Sequence, residues 1–133
     1  MPFNLYGSRP RSKEGKHFRY TLGAWHPLWG YCELIAPDLI PADNLGHVNE
    51  GWGLEEADAL KLADRLAGEL ESGNTRRYEQ ARRAWYESLP SDPGNADQER
   101  SQRPNLELSS LFTLECVRSF EAFLRECGGF RIW

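Results

Sequence analysis

The chain reads as an α+β protein, mostly α, with about four helices, a central αα-hairpin and one small antiparallel strand pair. Three observations predict this. From Leu54 to Leu89, apolar residues recur at helical spacing on both sides of a bare Gly73-Asn74 junction. Two further helical stripes, Leu28–Ile35 and Val117–Cys127, flank that run. Residues 17–22 and 130–133 instead alternate, with Phe18, Tyr20, Leu22 and Phe130, Ile132 each on one side. A length of 133 residues suits one domain that buries its own core. The expectation is therefore a single domain, 1–133, with 1–16 as an extended basic arm and 91–105 as a mobile polar loop.

The arm is rich in Pro, Gly, Ser and basic residues, with Phe3, Leu5 and Tyr6 as points of partial order. The first helix is expected to start near Pro27, which suits a first turn because its missing N–H costs nothing there. It should stop before Pro37. Leu28, Tyr31, Cys32 and Ile35 then share a face. Residues 37–53 carry two prolines, three glycines and two asparagines, the composition of a long loop.

The second helix is predicted over Leu54–Ser72, with Ala57, Leu60, Ala63, Ala67 and Leu70 as its stripe, widened by Leu62 and Leu66. Glu55, Glu56 and Asp58 favour its positive end, and Gly73 its stop. Asn74 is read as the cap of a third helix with Tyr78, Ala81, Trp85 and Leu89 inward. One hinge between two helices makes a tight hairpin. Residues 106–112 are ambiguous between an extended piece and a lead-in turn. Thr113 should cap the last helix, Leu114–Cys127, ended by Gly128-Gly129. The extended tail after it is expected to pair with residues 17–22.

Five Trp, five Tyr and six Phe predict a core of packed rings: Trp25, Trp29, Trp52, Trp85, Phe120 and Phe123. The net charge of -4 gives no overall nucleic-acid signature, but the charge is segregated. Residues 1–20 hold Arg9, Arg11, Lys13, Lys16 and Arg19 against Glu14 alone, whereas residues 31–72 are strongly acidic. Two readings follow: mutual attraction across the fold, which is favoured, or a basic arm for an acidic partner. Cys32, Cys116 and Cys127 are odd in number and lack CxxC spacing, so neither a disulfide framework nor a zinc knuckle is expected. Without a signal-peptide pattern or a transmembrane-length apolar run, the expected location is cytoplasmic, away from membranes.

His17, His26 and His47 show no metal-ligand spacing, so no metal site is expected. Cys32 lies near His26, but core packing suits it better than nucleophilic chemistry. The stretch Gly46-His47-Val48-Asn49-Glu50-Gly51-Trp52-Gly53 has the composition of a ligand-cradling loop. It lacks the Lys and Ser/Thr of a P-loop. The favoured reading is a turn-rich connector whose glycines take positive φ and whose Trp52 enters the core. Arg76, Arg77, Arg82 and Arg83 with Tyr78, Trp85 and Tyr86 form a basic-aromatic cluster. Arg76 and Arg77 at a helix start oppose its dipole. Either an anionic partner or pairing with Glu69 and Glu71 across the hinge explains them, and the pairing is favoured.

Phe18-Arg19, then Trp25-His26-Pro27-Leu28-Trp29-x-Tyr31, then Gly46-x-x-Asn49-x-Gly51, then a final helix into Gly128-Gly129-Phe130, resemble in their order a family of small uncharacterised bacterial and phage-associated proteins. Some of its members carry a Cys-rich, zinc-knuckle-like insertion ahead of the last helix. Residues 91–105 here contain no Cys. The resemblance implies one compact domain and brings no established activity.

The favoured function is a small cytoplasmic macromolecule-binding protein without catalytic activity or cofactor, its partner a protein or a second copy of itself. One alternative is a small-ligand or enzyme site at the 46–53 loop, built from His26, His47, Asn49 and Glu50. Another is nucleic-acid binding through Arg76, Arg77, Arg82 and Arg83.

Overall fold

A computed structural model describes residues 2–88 and 112–133. The expected polar loop at 91–105, the ambiguous stretch up to 111, and Leu89 lie outside the described residues. The architecture is mostly helical with a small antiparallel sheet, as the periodicities predict.

The sheet has a strand more than expected. Strand β1 (Pro2–Gly7) falls within the predicted arm, β2 is His17–Thr21 and β3 is Phe130–Ile132. The order is β2-β1-β3, so the two predicted strands do not pair; β1 lies between them. Phe3 aligns with Tyr20, Leu5 with Phe18 on one side and Ile132 on the other. Phe3 and Leu5 are buried, Tyr6 is exposed, so β1 carries the period-two pattern of a half-buried strand.

Helix α1 (Leu22–Ile35) starts earlier than expected. Thr21 caps it, its Oγ1 accepting from the Ala24 N–H at 3.3 Å. Pro27 therefore sits inside the helix, where it has no N–H to offer the Gly23 carbonyl. Trp25, Leu28, Trp29, Tyr31 and Cys32 are all buried, so α1 runs through the core. Its exposed side carries Leu34, with His26, Gly30 and Glu33 half-buried beside it. Arg65 closes the far end, donating to the Ile35 carbonyl at 2.8 Å and to both Asp38 oxygens at 3.0 Å.

Helices α2 (Glu56–Ser72) and α3 (Asn74–Ser88) form the hairpin. The buried stripe of α2 is Ala59, Leu62, Ala63 and Leu66, rotated from the predicted one; Ala57 is exposed. Gly73 is left-handed at φ 84 and closes α2. Its carbonyl also accepts the Arg77 N–H, the opening bond of α3. Asn74 is thus already helical rather than the cap, because a one-residue hinge leaves no separate cap position.

Helix α4 (Leu114–Glu126) is capped by Thr113, whose Oγ1 accepts from the Cys116 N–H at 3.1 Å. Val117, Phe120, Phe123 and Leu124 are buried, and so is Cys127 just past its end. Of the six predicted core rings, Trp25, Trp29, Phe120 and Phe123 are buried and Trp52 is partly so. Trp85 is 55% exposed, against expectation. Tyr78 uses the inner face of α3 against Tyr31 and Phe112, and Trp85, two turns on, lies beyond the core's edge. Among the described residues no helix is long and apolar enough to cross a membrane.

Candidate functional site

The 37–53 loop is fastened along the exposed side of α1 by side chains from both. Trp25 donates its indole N–H to the Gly46 carbonyl at 2.7 Å, and Trp29 donates to Asn44 Oδ1 at 2.9 Å. The same Oδ1 accepts the Gly46 N–H, while Asn44 Nδ2 donates to Glu33 Oε2 and to the Pro41 carbonyl. Every polar atom of the Asn44 amide is thereby used, the condition for a partly buried polar group to be stable.

His47 then reaches back to α1. Its Nε2 lies 2.5 Å from Glu33 Oε1, and its Nδ1 lies 2.6 Å from His26 Nδ1. The two rings stack with centroids 4.8 Å apart. The carboxylate accepts from His47 Nε2, so the His47–His26 contact holds one proton between two Nδ1 atoms. Two imidazolium rings would aim N–H at N–H there and break the contact. Phe3 packs edge-on against His26 from the sheet side.

Of the predicted loop-site residues, His26 and His47 are thus brought together. Asn49 and Glu50 take no part in the network: Asn49 is half-buried and Glu50 exposed. The sequence reading missed Glu33 and Asn44. Glu33 lies seven residues after His26, on the same helical face, and that spacing was the available signal. Nothing local marks Asn44. Cys32 is fully buried, and burial pushes its thiol far above the ordinary range. It is a core residue, not a nucleophile. Among the described residues no group of His, Cys, Asp and Glu has metal-binding geometry.

The loop glycines serve close approach more than unusual backbone angles. Of Gly46, Gly51 and Gly53, Gly51 alone has positive φ, +92. A Cβ on Gly46 would lie 2.0 Å from Trp29 Nε1, and one on Gly53 only 1.7 Å from the Phe130 carbonyl oxygen.

Burial, and next the neighbouring His47, hold His26 below its ordinary imidazole value. The folded protein therefore takes up this proton less readily than the unfolded chain does. The stability contributed by the neutral ring is complete above the unfolded value, roughly 6.5. It falls as pH drops through the window below that and levels off once folded His26 is protonated. Thermal melts from pH 7.5 to 5 should show a falling Tm, and His26→Gln should flatten the fall. Equal slopes for the two proteins would remove His26 from the account.

The arginine cluster of α3 is dispersed. Arg77 donates to the Ser72 carbonyl at 2.9 Å, placing its charge at the negative end of α2. Arg82 lies over the Tyr78 ring, and Arg83 pairs with Glu79 at 3.4 Å. Among the described residues no ion pair joins Arg76 or Arg77 to Glu69 or Glu71, and Arg77 turns back to the backbone instead. The attraction between basic arm and acidic stretch is realised elsewhere, by an Arg11–Glu56 ion pair.

Two open depressions, of about 510 and 580 Å³, lie away from the histidines. One is lined by Arg9, Glu55, Glu56 and Leu60, the other by Asp38, Lys61, Asp64 and Glu69. No protein-family model, no curated protein and no solved structure matches this chain.

Proposed function

We propose that the chain is a small cytoplasmic protein-binding module whose recognition surface is the α1 side that carries the 37–53 loop. One observation carries this reading: Leu34, Leu45 and Val48 are 64%, 50% and 40% exposed around the fixed His26–His47–Glu33–Asn44 network. Leu34 follows Glu33 in the chain, Leu45 follows Asn44 and Val48 follows His47, so each exposed aliphatic side chain is the chain neighbour of a group that fastens the loop. Exposed aliphatic groups on a preorganised polar frame are the makings of an interface, because little conformational entropy remains to be lost on binding.

A small-molecule site would need a concave pocket lined by convergent groups. Asn49 and Glu50 stay outside the network, and the two depressions lie elsewhere. The cytoplasmic assignment is supported by the free thiols of Cys32, Cys116 and Cys127. The family resemblance is part of the proposal too. Two of its motifs touch where the Trp25 indole donates to the Gly46 carbonyl.

Leu34→Glu and Val48→Lys should leave melting unchanged within about 0.5 kcal/mol, as exposed substitutions usually do. Both should remove the proteins that wild type and Trp85→Ser capture alike from the source cell. Identical capture by all four forms would overturn the reading. A concentration-dependent dimer lost in Leu34→Glu would identify the partner as a second copy.

A further inference from the structure

The outer face of the sheet carries a second surface of different chemistry. Phe3, Leu5, Phe130 and Ile132 point into the core, so strand alternation turns Asn4, Tyr6, His17, Arg19, Thr21 and Arg131 outward. The pairing places all but Thr21 in two rows. Tyr6 lies between His17 and Arg131. Asn4 lies opposite Arg19 and accepts the Trp133 N–H at its carbonyl.

Tyr6 is 47% exposed and stacks on His17 with centroids 5.0 Å apart and planes at 17°. Trp133 is 56% exposed, its ring lying over Gly51. Arg19 is exposed, and Arg131 bonds to Glu55 from one edge of the face. In an acidic chain, none of these outward strand positions carries a carboxylate. An ordinary solvated sheet face would mix both signs. Here flat rings alternate with cations, the combination that stacks bases and neutralises phosphates.

We infer that this sheet face is a docking surface for single-stranded nucleic acid. Charge complementarity selects the backbone: the exposed Arg19 and the nearby Lys16 present cations where phosphates would run, while Arg131 is held in its ion pair with Glu55. The aromatics select single strands, because only unpaired bases offer their faces to Tyr6 and Trp133. The two rings are set apart, Tyr6 against His17 and Trp133 over Gly51, so each serves a different base. Sequence preference should be slight, since stacking accepts every base and Asn4 is the one side-chain amide within the rows.

The test is fluorescence anisotropy with the full chain and labelled single strands of deoxythymidine and uridine, against a duplex of matched length. Binding should favour the single strands and weaken as salt rises, with a log–log slope of about −1 to −2 for two or so phosphates neutralised. Tyr6→Ala and Trp133→Ala should each weaken it by about ten-fold or more. Arg19→Glu, a change at an exposed position, should weaken it and flatten the salt slope while melting stays at the wild-type value. No binding at low salt would overturn the inference. So would binding that survives all three substitutions, or that is lost only in Arg76→Ala/Arg77→Ala, which would move the site to α3. Leu34→Glu should leave this binding intact, which keeps the test separate from the protein-binding surface.

Discussion

Gly53→Ala is expected to abolish folding or to cost more than about 4 kcal/mol, a loss reserved for severe packing faults. Both atoms nearest the new Cβ are backbone: the Phe130 carbonyl oxygen at 1.7 Å and its carbon at 2.6 Å. Neither swings aside as a side chain would. The segment around Gly53 lies flush along β3. Gly51 donates to the Ile132 carbonyl, Trp52 accepts from Ile132 and Leu54 accepts from Phe130, all at 2.7–2.9 Å. Room for a methyl group comes only by parting these bonds, which detaches the loop from the sheet. Gly68→Ala should act in the opposite direction. Gly68 is exposed inside α2 with nothing within 4 Å of a new Cβ, so alanine should add about 0.5–1 kcal/mol through helix propensity. Denaturant unfolding of the pair checks both signs. A Gly53→Ala midpoint near wild type would refute the close approach.

Trp29→Ala should cost about 3–5 kcal/mol, the usual range for emptying a buried tryptophan site. The ring stacks on Trp25 at 5.3 Å and meets Trp52, Phe120 and Phe130 edge-on, so its loss opens a cavity shared by α1, α4, the loop and β3. It also removes one of the indole bonds that hold the loop. Trp29→Phe should fall between alanine and wild type, keeping part of the packing but not the N–H to Asn44. Trp85→Ala, at a mostly exposed ring, should stay within about 0.5 kcal/mol. Urea unfolding ranks the three, and amide exchange at Gly46 reports the loop. Equal costs for Trp29→Ala and Trp85→Ala would contradict the core described above.

The legible parts of this chain were those written in local repeats. The hairpin, the last helix with its Thr113 cap and the long loop all follow from spacing, capping chemistry and Gly/Pro content within a few residues. Strand β1 was overlooked although Phe3 and Leu5 alternate correctly, because the basic residues after Gly7 make the whole stretch resemble a tail. Its partners lie more than ten residues away on one side and at the far end of the chain on the other. The α2 stripe was rotated because several overlapping i, i+3, i+4 sets fit the same alanines and leucines. Leu62 and Leu66, expected only to widen that stripe, prove to be its buried centre together with Ala59, which was not among the expected positions. At the candidate site, His26 and His47 were nameable by residue type. Glu33 and Asn44 became meaningful only once the loop lay against α1. The sheet face was invisible for the same reason: Tyr6, His17, Arg131 and Trp133 are neighbours solely through strand register.

A sheet that places β1 between β2, close to it in sequence, and β3, far from it, couples distant parts of the chain in time as well as in space. During synthesis β1 and β2 can pair as soon as both emerge, since only residues 8–16 lie between them. The other edge of β1 must then stay open until residue 130 and beyond have been made. Closing it requires contact across nearly the whole sequence, which slows folding relative to the local helices. Throughout that interval an unpaired strand edge is on offer to any neighbouring chain. The nascent protein is therefore open to aggregation at this edge for as long as α1 to α4 have been made and β3 has not.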